Sequence, residues 1–540
     1  MSTDIEIKNA SILGLLNQIS IVTQTTANYV VCFTNFLTTI NNTLSSGNGD
    51  PTEINAAIAC LPSTEATNIN TVVGNISLAD LLTLKSHALQ EFEDVKTIYH
   101  NLKSLKEAVL NRIRTPSQGF YEINQVGLSL PIDTRIALGL PLPVEIGQVG
   151  DTIDVGSEDI GEHLALSGDG KRVAVLMFTD AYTDISVKIL EYNATTTSWD
   201  QIGSNIDCCL NGISPRVSLN MDGNTLAIGS PYQEVDFEED DWKGVVRVFR
   251  YNCEETTWNQ VGQNINGKVI DERAGAYVSL SSNGRRIVIG SPGNDYDTGV
   301  VRVYDYKGLG WVQIGSDIIG VREFDNFGAC VSINNGGGII AAGAFYHDTS
   351  SDGSDNYAGE VRLFEFKCNN WVQLGLSIDG KDAGDSSGMT LSLSEDGLRV
   401  AIGSPDGSDT YSRQGHVRVF EYTDESWSQL GGEINGEAPG DGIAGLSVSL
   451  SGNGCIVAIG APYNRASTVD PDNLNATFSQ QPLFGHVRLF EYNGHGWVQL
   501  GSDLDGNAVT GRYGQSVSIS KDGRKVAILA TGYVEIREIV

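Results

Sequence analysis

The chain has 540 residues, with 67 acids against 35 lysines and arginines and a formal net charge of −32. A surface this acidic repels phosphate backbones and anionic membranes, so nucleic acid is excluded as an expected partner. No apolar run approaches the ~18 residues of a membrane span, and the start Met1-Ser-Thr-Asp4-Ile-Glu6 is acidic where a secretory leader is basic, so synthesis in the cytoplasm with no membrane span is expected.

Residues 1–115 carry 10 acids and 7 bases, and the remainder carries 57 and 28. Over residues 4–44 apolar side chains recur at helical spacing, among them Ile12, Leu16, Ile19, Val30, Leu37 and Leu44. Gly47-Asn-Gly-Asp50 breaks the pattern. Asp50-Pro51-Thr52-Glu53 then reads as N-cap, first-position proline and capping-box glutamate of a short helix to about Cys60. Ser77 and Asp80 open a longer one, along which Leu81, Ala88, Val95, Leu102 and Val109 fall seven apart. Glu91 and Arg112 interrupt the companion row, which suits a helical bundle better than a strict two-stranded coil. We expect residues 1–115 to form a helical bundle or stalk that brings chains together, because so thin a region has little private core. Pro116, Pro131, Pro141 and Pro143 make residues 116–144 an extended linker.

From residue 145 onward one phrase returns seven times. Trp199, Trp258, Trp311, Trp371, Trp427 and Trp497 open Trp-x-Gln-[Ile/Val/Leu]-Gly, and Ile146-Gly-Gln148-Val-Gly150 is a degenerate seventh copy. Each unit also holds a Val-Ser-Leu alternation, an apolar run such as Ile287 to Pro292, and a Val-Arg-Val-Phe-Glu-Tyr segment such as Val417 to Tyr422. Alternating β-branched and aromatic residues bounded by Gly, Asp, Asn and Pro are strands. Asp169-Gly170, Asn283-Gly284 and their equivalents join the first two as tight hairpins. Four antiparallel strands repeated seven times predict a seven-bladed β-propeller over residues 145–540. The array starts with an orphan fourth strand and stops after a third, Val534 to Ile539, so the N-terminal strand is expected to complete the last blade and close the ring.

These Gly-x-x-Val-Ser, Val-Ala-Ile-Gly-Ala-Pro and Gly-x-Val-Arg-Val-Phe-Glu-Tyr phrases resemble FG-GAP repeats, the units of the integrin alpha-subunit propeller. The Trp-x-Gln-Leu-Gly variety is similar to repeat proteins of giant DNA viruses and marine microbes. The resemblance covers residues 145–540 and implies the propeller fold. FG-GAP calcium sites lie in a long Asp-rich loop between the first two strands. Here that connection is a short hairpin with too few oxygens, so the family's sites carry over to no position.

Chemistry-bearing residues mostly recur at scaffold positions. His416 and His486 match each other just before the third strand, and the third-strand Arg247, Arg302, Arg362, Arg418 and Arg488 are expected to pair with a carboxylate or stack on an aromatic of the next blade. The eight cysteines show no C-x-x-C and read as reduced thiols. What varies is the loop between second and third strands, where a rigid scaffold places recognition. The partner-binding candidates are Glu234, Asp236, Glu238, Glu239, Asp240 and Asp241 in blade two, Tyr346, His347 and Asp348 in blade four, and Tyr463 and Asn464 in blade six. Asp295, Asp297, Asp352 and Asp355 are weaker candidates for calcium; no other cofactor is expected. Two function classes follow: a non-enzymatic structural or interaction protein, such as a virion component or surface adhesin binding a protein or glycan, and a carbohydrate-active propeller enzyme with paired carboxylates near the axis.

Overall fold

A computed structural model describes residues 146–155, 163–178, 184–210, 215–235, 241–348, 357–406, 414–436, 445–464, 484–506 and 511–539. The expected helices of residues 1–115 and the linker 116–144 lie outside these residues. Val144–Val540 forms one compact unit, a mainly-β seven-bladed propeller.

Blade three shows the plan. Tyr277–Leu280, Arg286–Ser291, Val300–Tyr306 and Trp311–Gln313 pair in that order, each antiparallel to the last. The other blades start at Leu164, Arg216, Cys330, Thr390, Ser447 and Ser516. Asp-Gly and Asn-Gly deliver the expected hairpins, with Gly284 at φ +63 and Gly523 at φ +74. Alternation puts Val and Leu of each first strand between blades, where Val288, Val301, Ile340 and Val361 are fully buried.

Ile146–Gln148 pairs with Tyr533–Ile539 as the outermost strand of blade seven, Ile146 opposite Ile539 and Gln148 opposite Arg537. Ile153–Asp154 follows it onto the same strand. This second pairing recurs beyond the four expected strands: in blade three Ile318–Ile319 returns to the start of the third strand, opposite Val301 and Val300. The glycine ending each Trp-x-Gln phrase makes the return possible. Gly315 sits at φ +70, and a Cβ there would lie 2.7 Å from Trp371 Cδ1, so only glycine fits.

Three sets of bonds join blade to blade. On the outside, each tryptophan Nε1 donates to the carbonyl of the aliphatic residue in the preceding blade's phrase, as from Trp371 to Ile314 and Trp199 to Val149, at 2.8–3.1 Å. Around the axis, first-strand N–H groups donate to serine Oγ of the preceding blade, as from Leu280 to Ser218 and Leu166 to Ser518, at 3.0–3.3 Å. Blade one has Ala165 at the serine position, so this belt has six members among the described residues. At the hairpins a closed circle of backbone bonds runs through Met221, Ser282, Asn335, Glu395, Gly452 and Lys521 to Gly168, and from Asp169 back to Met221, at 2.8–3.1 Å.

The third-strand arginines follow expectation where they meet carboxylates, Arg302 with Glu272 and Asp317 and Arg362 with Glu360, and several add a contact that the repeats did not predict. Arg362, Arg418 and Arg488 donate to carbonyls of the preceding blade's extension (Ile319, Asp379 and Asn435) at 2.8–3.2 Å, and Arg247 donates likewise to Cys208. The extension was not foreseen, and it presents carbonyls where the guanidinium ends. Stacking on the next blade falls instead to arginines opening the second strand. Arg172, Arg286 and Arg399 lie over Tyr251, Phe366 and Tyr492 at 5.2–5.9 Å while pairing with Glu191, Asp305 and Glu421.

Candidate functional site: the loop face and the axial channel

Antiparallel order fixes which connections share a face. Hairpins between first and second strands lie with the turns between third and fourth. Loops between second and third strands share the opposite face with the connections that lead into the next blade. On this loop face the two sets are hydrogen-bonded: Asp271 N donates to Asp241 O at 3.0 Å, Phe324 N to Tyr296 O at 3.1 Å, and Ser386 N to Tyr357 O at 3.1 Å.

One acid anchors each of three of these connections, and it recurs in the sequence, for Glu272, Asp325 and Asp385 each stand three residues before the glycine (Gly275, Gly328 and Gly388) that leads into the first strand. Glu272 and Asp385 are fully buried and Asp325 nearly so. Each accepts backbone N–H groups three or four residues upstream: Lys268 and Val269 on Glu272, Arg322 on Asp325, Lys381 and Asp382 on Asp385. Each also faces a base of the same blade. Arg302 is ion-paired with Glu272 and Asp317; burial disfavours its charge, but the two carboxylates outweigh that and raise its pKa. His347 Nδ1 is 2.9 Å from Asp325, whose hydrogen bond raises the imidazole pKa against the opposing effect of burial. His416 lies 4.0 Å from Asp385, and burial depresses its pKa.

Several predicted partner residues are occupied by this framework. Asp241 is buried, accepts Val235 N and forms an ion pair with Lys243 at 3.5 Å. His347 holds Asp325, Asp348 pairs with Arg322 at 3.4 Å, and buried Asn464 closes its loop by accepting Gly485 N. Glu234 and Tyr346 stand at the surface, and Tyr463 is half-buried beneath the Arg512 guanidinium. Asp236, Glu238, Glu239, Asp240, Asp352 and Asp355 lie outside the described residues. Asp295 is exposed, whereas Asp297 forms an ion pair with Arg273 at 3.2 Å. Among the described residues no three His, Cys, Asp or Glu side chains converge as metal ligands.

Aromatic residues, rather than the acids, distinguish this face. Tyr296 is 74% exposed and Phe324 61%, with Trp242, Tyr346 and Tyr357 also exposed. Trp242, Tyr296, Phe324 and Tyr357 have φ of +27, +54, +69 and +45. A bulky residue in the left-handed region costs about 1–2 kcal/mol, and such strain collects at functional sites. The sequence signal was available: all five aromatics lie outside the repeated phrases.

Around the axis, the residues at the entry to the innermost strands change from blade to blade: His163, just before Leu164, then Arg216, Tyr277, Cys330, Thr390, Ser447 and Ser516. His163 packs edge-on against Tyr277 with centroids 5.8 Å apart. Burial, helped by Arg216, lowers the His163 pKa to about 3, and burial pushes the Cys330 thiol to about 12 and the Tyr277 phenol upward. All three are neutral near pH 7, so none is tuned for proton exchange there.

No family model matches this chain, and no curated protein matches it either. Its fold and the chemistry of its own surfaces therefore carry the functional argument. Among the described residues no helix is long and apolar enough to cross a membrane.

Proposed function

We propose that this protein is a non-enzymatic interaction protein of FG-GAP-like type: a rigid propeller that recognises a protein or glycan surface through the loop face of blades two to four. Self-association is assigned to residues 1–115, which lie outside the described residues, and a virion component or surface adhesin suits such a protein. The observation that carries the reading is the set of exposed aromatics held at positive φ. A fold that spends strain to display Trp242, Tyr296, Phe324 and Tyr357 gains from what they touch. Aromatic anchors dominate recognition because they bury large area for few rotatable bonds. The buried acids beneath them keep the platform fixed, so little ordering entropy is lost on binding.

The test is a double variant, Tyr296→Ala with Phe324→Ala, compared with wild type on glycan and peptide arrays. Both side chains are exposed, so the fold is retained. Wild type should bind at least one array class, and the variant should lose at least tenfold in affinity, matching two aromatic contacts of about 1 kcal/mol each. Undiminished binding by the variant overturns this face as the site. Glycan cleavage abolished by one carboxylate substitution near the axis would instead establish the carbohydrate-active enzyme reading.

A further inference from the structure

We propose that the axial channel holds a small inorganic anion, chloride or an oxyanion of phosphate size, between the serine belt and Lys521. The channel has a volume of about 180 Å³, room for several waters at about 30 Å³ each. In a chain of net charge −32, no carboxylate lines it among the described residues. Glu395 belongs to the circle of turns, but its carboxyl group folds back over Gly452, where a Cβ would lie 2.7 Å from its Cδ.

The lining is rich in donors. Each belt serine spends an acceptor site on the N–H of the next blade, and its hydroxyl proton has no acceptor among the described residues. Lys521 reaches the channel mouth with neither hydrogen bond nor ion pair for its ammonium among the described residues, and burial lowers its pKa, with Glu395 only partly offsetting this. His163 lines the channel with a buried Nδ1 that has no partner. Its ring is neutral, so it supplies one N–H donor and no competing charge. Asn335 has a side-chain oxygen without a donor; turning the amide over presents NH₂ to the channel instead. A partly buried ammonium at the mouth of a channel ringed by hydroxyl protons is satisfied best by a ligand that accepts hydrogen bonds and carries negative charge. Water meets only the first requirement.

The experiment uses the full chain at constant ionic strength set by sodium gluconate, whose anion is too large for the channel. Gluconate is replaced stepwise by chloride, bromide or phosphate. A saturable rise of a few degrees in melting temperature is expected with at least one small anion, and the anion that produces it identifies the source. Chloride NMR on the native protein should show line broadening that phosphate reverses if the two compete. Lys521→Met should remove both effects while retaining the fold, since Met221 occupies the equivalent turn in blade two. Ser392→Ala with Ser449→Ala should weaken the anion about a hundredfold, two charge-assisted hydrogen bonds at the low end of their range. Equal responses of wild type and Lys521→Met in every salt would show a channel filled by water alone and overturn the proposal.

Discussion

Trp371 shows how much of this fold passes through one side chain. Its ring packs on Phe366 at 5.0 Å, while Nε1 donates across the blade boundary to Ile314 at 3.1 Å. Trp371→Phe keeps most of the packing and removes the bond, so stability should fall by about 1 kcal/mol, seen as a lower urea midpoint at unchanged m-value. Ala165 is the converse case. Serine there would give Leu219 N the acceptor that every other blade provides, and Ala165→Ser should raise stability by about 0.5–1.5 kcal/mol in the same measurement. His347 adds a pH dependence. Asp325 raises its folded-state pKa above the ordinary 6.5, so its stabilising contribution is complete below that value and is lost as pH rises through the raised one. The stability gap between wild type and His347→Gln should therefore shrink from mildly acidic to alkaline pH. A gap independent of pH would show that the imidazole is held for packing alone. Residues of this kind were only half legible. Repetition marked Trp371 and the belt serines as scaffold, but it did not say that their polar atoms reach the neighbouring blade. Buried acids such as Glu272 recur three residues before the glycine that leads into the first strand, but their partners are set by tertiary proximity.

At the scale of elements, the four phrases of each repeat became four strands because β-branched alternation and Asn-Gly or Asp-Gly turns act locally. The short extension after the Trp-x-Gln phrase, two residues long in five of the blades, is hidden for the opposite reason. A pair such as Ile318–Ile319 is too short to show a period, and its place depends on a glycine bulge. The loop face was located through the variability of its loops, yet its acids drew attention that belonged to Tyr296 and Phe324. Formal charge is visible in sequence, whereas a backbone held at positive φ is not. The closing strand gives this scale its prediction. Deleting residues 1–150 removes the partner of Tyr533–Ile539, and deleting residues 1–140 leaves it. The shorter chain should melt at lower temperature and expose that edge to aggregation; equal melting would mean the seam contributes nothing.

Over the whole molecule, the propeller and the region before it are expected to divide two tasks. Light scattering should find the full chain oligomeric and residues 141–540 monomeric; a monomeric full chain at micromolar concentration would leave residues 1–115 a self-contained hairpin. The propeller's own integrity rests on one circle of backbone bonds that passes through all seven blades, with two six-membered sets of side-chain bonds beside it among the described residues, and six of the seven blades are continuous in sequence. Blade seven is not, for its outer strand comes from the other end of the array. Because Ile146 lies directly opposite Ile539, tension on the chain just before residue 146 falls on one rung at a time. The ladder then opens like a zip, without the simultaneous shearing that guards the other blades. The propeller thus has a built-in clasp, weakest to a pull on the chain that precedes residue 146. A circular permutant joined across that clasp and opened at Asn294–Gly299 would move the weak point to blade three and leave the former seam covalent.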